Sequence, residues 1–289
     1  MESLNTLLPL LPIALALVAF ALHYYWQRWR HARLINTPLP ALWNTYLEQR
    51  LPVYTRLSAP QRNHLHQMIH LFLDDKTFYG CAGLVVTDEI RVCIAAQACL
   101  LCLGRQGPLY PGLQAILVYP AAFLVARESF QEDGTVADEA HALLGESWDS
   151  GRVILSWDDV ARGASDFTDG HNVVLHEFAH QLDSASGATN GAPTLRRNDQ
   201  RGSYHNSYQT WATVFSENFD DLRERAQQGK PTVMDIYGAS NEAEFFAVAT
   251  ETFFEKPLEL QAKRPELFEQ LLHYYQLDPR QWHPDNTSH

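Results

Sequence analysis

His176 and His180 stand four positions apart, with Glu177 directly after the first, in the order His-Glu-Phe-Ala-His. On an α-helix, residues i and i+4 share one face about one turn apart, so the two imidazoles converge on a single point. A metal ion held there keeps a water molecule within reach of the neighbouring glutamate, which is the arrangement that metal-assisted peptide hydrolysis needs. The plainer alternative is a core helix with two satisfied histidines and an exposed glutamate. Against it, Val174, Phe178 and Leu182 recur at helical spacing and mark the helix as buried. Two imidazoles and a carboxylate without partners are costly in such a helix. The expectation is one bound Zn²⁺.

A hydrolytic zinc ion has three protein ligands and one open position. In one zincin class a third histidine follows in His-Glu-x-x-His-x-x-Gly-x-x-His, but here those places hold Asp183 and Ser186. The third ligand must come from elsewhere, and a carboxylate is the common solution. It would leave the ion with net charge +1, enough to acidify a bound water. Residues 241–251 offer Glu242, Glu244 and Glu251, of which Glu244 and Glu251 lie two turns apart on one face. Asn241-x-x-Glu244 is also capping-box spacing. Spacing therefore leaves two assignments open: Glu244 as ligand with Glu251 accepting a hydrogen bond from a ligand histidine, or Glu251 as the ligand itself. Asp183, three residues beyond His180, either orients a ligand imidazole or is a solvated helix-end aspartate.

These residues must be positioned by the rest of the chain. Its 289 residues, 46% of them hydrophobic, suffice for one large domain. A net charge of −12 argues against a nucleic-acid surface. Helices are expected from Ser58-Ala59-Pro60 onward, from Thr87 to Gly104, and over residues 204–225, 241–254 and 265–275. Strands are expected over residues 113–119 and 123–126 and within 148–157. An open strand edge just before the metal helix could pair with an extended peptide. Residues 128–145 read as a polar surface excursion and 184–203 as a loop rich in Gly, Ser and Asn. The class is α+β, mostly helical. Cys81, Cys93, Cys99 and Cys102 cluster in one stretch. The C-x-x-C pair lies in an apolar helical run, where thiols serve as small core residues, and unpaired thiols fit a reducing compartment.

Residues 4–22 carry no charge and are rich in Leu, Ala and Val. Tyr24, Tyr25, Trp26 and Trp29 follow, interleaved with Arg28, Arg30 and Arg33. That is the length and flank of a membrane-spanning helix. The expectation is an anchor over residues 1–35, single-pass in the inner (cytoplasmic) membrane, with a catalytic domain over residues 36–289 in the cytoplasm. The rival is export after cleavage of a signal peptide near Ala19-Phe20-Ala21.

Several segments together resemble the Mlc titration factor A family of zinc peptidases. They are His176-Glu177-Phe178-Ala179-His180-Gln181-Leu182-Asp183, Ala243-Glu244-Phe245-Phe246-Ala247-Val248 with Glu251, Leu117-Val118-Tyr119-Pro120-Ala121, Ser147-Trp148 with Val153-Ile154-Leu155-Ser156-Trp157, and Tyr274-Tyr275-Gln276-Leu277-Asp278-Pro279. The resemblance spans roughly residues 40–280. It implies a zincin-like (gluzincin) domain similar to the catalytic domain of anthrax lethal factor. By position it implies His176, His180 and Glu244 as ligands and Glu177 as base. Tyr237, seven residues before Glu244, would donate a hydrogen bond to the developing oxyanion. It further implies a peptide or protein substrate, aminopeptidase-type cleavage and a transcriptional repressor of the Mlc type as partner. The apolar N-terminal run departs from the family pattern. A different class of function stays open: a binding protein that titrates a regulator around a structural metal.

Overall fold

The computed structural model describes residues 11–121, 151–195 and 203–283. In chain order the helices are α1 (Leu11–Ile35), α2 (Ala41–Arg50), α3 (Pro52–Arg56) and α4 (Ala59–Asp75). Strand β1 (Thr77–Gly80), α5 (Asp88–Leu100), β2 (Ala115–Tyr119) and β3 (Arg152–Ser156) come next. They are followed by α6 (Trp157–Ser165), α7 (Val173–Ser184), α8 (Ser203–Gln227), α9 (Glu242–Glu255), α10 (Pro257–Lys263) and α11 (Pro265–Tyr275). Two short 3-10 turns, Ile236–Ala239 and Pro279–Trp282, complete the described chain.

The starts of these helices follow from their residues. Ser58 and Gln61 form a reciprocal capping box on α4, and Thr87 caps α5 with Asp88 and Glu89 in its first turn. The sequence places the end of α5 at Gly104, but regular helix stops at Leu100 and three further residues turn before the glycine. Cys93, Cys99 and Cys102 are buried in this region as core thiols, and burial pushes the Cys93 thiol up to about 12. The sheet has the order β1-β2-β3 and is parallel throughout, with Thr77 opposite Ala115 and Tyr119 opposite Ser156. Parallel neighbours need a crossover, and α5 supplies it between β1 and β2. Ile116, Val118, Val153 and Leu155 turn one face of the sheet into the core. Among the described residues β3 has a strand on one side only. The strand expected over 123–126 and the excursion over 128–145 lie outside the described residues.

Two packing clusters set the places of α7 and α9. Phe178 projects from α7 onto Tyr110 and onto Phe72 of α4, with ring centroids 4.8 and 5.7 Å away. Helix α9 is buried from Ala243 to Glu255, as expected of a helix apolar on most of its surface. Phe245 meets Phe215 of α8, Phe246 meets Trp211, and Phe254 meets Trp282. α7 lies against α9.

The expected transmembrane helix is corrected by the structure. Among the described residues no helix is long and apolar enough to cross a membrane. A span needs about 20 predominantly apolar residues. In α1 the apolar stretch ends at Leu22, and the next turns carry His23, Arg28, Arg30 and Arg33. The earlier part of the run, residues 4–10, lies outside the described residues. Arg30 pairs with Asp74 of α4, so this end of α1 engages the body of the protein. The single-pass anchoring and inner-membrane location that rested on the span do not stand.

Candidate metal centre

Asn172 begins α7: its Oδ1 accepts the N–H groups of Val174 and Leu175, both at 3.1 Å. One turn in, His176 and His180 point the same way, with Nε2 atoms 3.2 Å apart. Asn241 caps α9 by accepting the N–H of Glu244 at 3.0 Å. The Glu244 carboxylate does not turn back to close a capping box but reaches across to α7. Its Oε2 lies 3.0 Å from His176 Nε2 and 3.5 Å from His180 Nε2.

These three separations test the fit to a metal. Ligands about 2.0–2.1 Å from a tetrahedral ion stand roughly 3.3 Å from one another. The observed 3.0, 3.2 and 3.5 Å bracket that value. His176, His180 and Glu244 form the group among the described residues able to hold a metal ion. His180 and Glu244 are buried and His176 is partly so. The donor set, two imidazoles and a carboxylate, is one that zinc accepts.

Glu251 lies two turns beyond Glu244 along α9, and its Oε1 is 2.7 Å from His176 Nδ1. A carboxylate can only accept there, so Nδ1 carries the proton and Nε2 faces the metal position. Burial disfavours a charged His176, but its hydrogen bonds to Glu244 and Glu251 outweigh burial and raise its pKa well above the usual value. Burial likewise works against an ionised Glu244, yet the two imidazoles hold its carboxyl at about 2. Glu244 is therefore a carboxylate at any ordinary pH.

Glu177 is 5% exposed on α7, and its charge is felt by both His176 and Tyr237. Tyr237 sits in the 3-10 turn Ile236–Ala239, where Asp235 Oδ1 accepts its N–H at 2.7 Å. Its ring lies 5.9 Å from that of His176, and the residue is 37% exposed. Burial first, and then the carboxylates of Glu244 and Glu177, raise the Tyr237 pKa, so the phenol keeps its proton. Asp183 is fully buried rather than solvated. Its Oδ2 accepts the N–H of Gly191 at 2.6 Å and ties the following loop to the end of α7. Burial raises its pKa to about 6.

Two residues that position this site were not singled out from sequence. Asp235 stands two before Tyr237, and Asn172 precedes the first apolar residue of α7. Both are good capping residues at element starts, and that preference was their only signal.

Residues 26–276 match the family model of glucose-regulated metallo-peptidase M90. The chain is 46% identical over 273 residues to an uncharacterized protein of Synechocystis sp., covering 93% of this chain and 96% of that one. It is 32% identical over 232 residues to Mlc titration factor A of Klebsiella pneumoniae, covering 80% and 84% of the two chains. To Mlc titration factor A of Yersinia pestis it is 30% identical over 241 residues, covering 83% and 85%. The match runs through both helices that carry His176, His180 and Glu244, and the chain belongs to the glucose-regulated metallo-peptidase M90 family, together with the Mlc titration factor A proteins.

Proposed function

We propose that this metallopeptidase is zinc-dependent and cleaves peptide bonds with His176, His180 and Glu244 as ligands, Glu177 as proton carrier and Tyr237 as oxyanion donor. The observation that carries this reading is the convergence of two Nε2 atoms and one carboxylate oxygen from two helices at 3.0–3.5 Å. Zn²⁺ held there supplies a Lewis acid for the substrate carbonyl and lowers the pKa of water beside it. Glu177 takes one proton from the attacking water as the oxygen–carbon bond forms. The protonated Tyr237 donates to the carbonyl oxygen as charge gathers on it. Glu177 then delivers its proton to the amine as the carbon–nitrogen bond breaks, so the proton count closes.

The test is zinc content and peptide hydrolysis of the full-length protein. Glu177→Gln is expected to keep its zinc and lose roughly 10²- to 10⁴-fold in kcat, whereas Glu244→Ala is expected to lose zinc. Undiminished turnover in Glu177→Gln would refute the mechanism. Aminopeptidase-type cleavage is the finer form of the proposal, and free-amine against N-blocked peptides distinguishes it from internal cleavage. The name of the Klebsiella and Yersinia relatives supports a second reading, in which the chain binds and titrates a transcriptional repressor of the Mlc type. A binding role without catalysis would leave Glu177→Gln fully competent.

A further inference from the structure

The two ligand-bearing helices are joined at a residue that touches neither metal nor substrate. Asn172 is 1% exposed. While its Oδ1 caps α7, its Nδ2 donates outward to three acceptors at 3.0 Å: Gln97 Oε1 on α5, the Gly163 carbonyl on α6, and Glu255 Oε1 on α9. Two N–H bonds serve three acceptors, so one of these contacts is shared. The backbone N–H of Asn172 donates to Glu251 Oε2 at 2.6 Å. Its carbonyl accepts from His176 N–H at 2.9 Å. Glu251 then passes the constraint on, since its other oxygen receives His176 Nδ1–H.

The surroundings are shaped for this side chain. A Cβ added at Gly163 would come within 3.0 Å of Asn172 Cγ, so α6 can approach only because residue 163 lacks one. A carboxamide caps the helix with its oxygen and still offers two N–H donors outward from the same side chain. Aspartate or serine would cap equally well, but neither presents the two N–H bonds.

We infer that Asn172 is a positioning residue for the metal centre. Its side chain locks the start of α7 onto α9, and its backbone N–H holds Glu251 where it fixes the tautomer and direction of His176. This inference rests on the metal reading above. Losing a partner that orients a ligand histidine typically weakens metal binding about 10- to 100-fold.

The experiment measures zinc affinity by chelator competition on the full-length protein, with circular dichroism of the metal-free form alongside. Asn172→Ser keeps an oxygen for the cap and replaces the two outward N–H donors by at most one short O–H. It is expected to fold and to raise the zinc Kd about 10-fold or more. Glu251→Gln is expected to weaken binding as well, and the double variant should be scarcely weaker than Glu251→Gln alone, because one effect runs through the other. A folded Asn172→Ser with wild-type affinity overturns the inference, and so do two losses that add in full. Should Asn172→Ser fail to fold, Glu255→Met removes the α9 acceptor of Nδ2 while leaving the cap. A weaker zinc affinity there supports the inference and an unchanged one overturns it. A wild-type protein without zinc affinity would defeat the metal reading and this inference together. A normal wild type beside an unaffected Asn172→Ser defeats this inference alone.

Discussion

The division of labour among side chains follows from which of them hold a proton. Glu244 is ionised because two imidazoles face it, whereas Tyr237 stays protonated because burial and two carboxylates oppose its ionisation. A phenol in that state is a donor that costs the site no charge. Tyr237→Phe removes the donor and little else, since the ring stays near His176. The expected result is a fall in kcat of roughly 10²-fold with KM and zinc content close to wild type. A matching rise in KM with kcat intact would assign Tyr237 to substrate binding instead. Much of this layer was legible in the sequence. His176, Glu177 and His180 are tied together by helical periodicity alone. Glu244 and Glu251 share a helix face, and spacing could not choose between them. Only the relative height of α9 against α7 places Glu244 by Nε2 and Glu251 by Nδ1.

At the scale of elements, the joint between α9 and the chain entering α7 carries a strained ionisation. Glu255 accepts from Gly170 N–H and Asn172 Nδ2, yet burial and the nearby Glu251 and Asp169 raise its pKa to about 9 from 4.5. The folded protein therefore keeps this acid neutral where an unfolded chain releases the proton. Between about pH 4.5 and 9 the native state holds more protons, so stability falls as pH rises through that window. Glu255→Gln has no such proton to hold. Urea unfolding of the metal-free proteins across pH 5 to 9 should show a shallower decline for the variant and a growing advantage over wild type towards pH 9. Parallel profiles would mean that Glu255 is ionised in the fold. None of this could be read from sequence, because Glu255 meets Gly170 and Asn172 across more than 80 positions. The same reason hid β1. Thr77-Phe78-Tyr79-Gly80 has no alternation of apolar residues and becomes a strand through its pairing with β2. Helices with long periodic faces, such as α4 and α11, were legible because their signal is local.

For the whole molecule, the sequence misled at the N-terminus, where the aromatic and arginine residues after an uncharged run read as the flank of a membrane span. Helix α1 carries that run into an arginine-bearing half, and Arg30 reaches Asp74. Elsewhere the large-scale consequence is that the proposed ligands come from separate parts of the chain. His176 and Glu244 are 68 residues apart, with α8 between them. A metal at this point cross-links α7 to α9 across that long loop, and an unfolded chain offers no comparable site. Binding to the native state alone stabilises it by about 4 kcal/mol when free zinc exceeds its Kd 1,000-fold. For a chain of this size each kcal/mol moves Tm by roughly 2–4 °C. Zinc should therefore raise the Tm of the metal-free protein by about 8–16 °C, and a chelator should reverse the shift. Glu244→Ala leaves two imidazoles on one helix and removes the link to α9, so most of the gain should vanish. If Glu244→Ala gained as much as wild type, zinc would be acting on α7 alone, and the two-helix site would have to be abandoned.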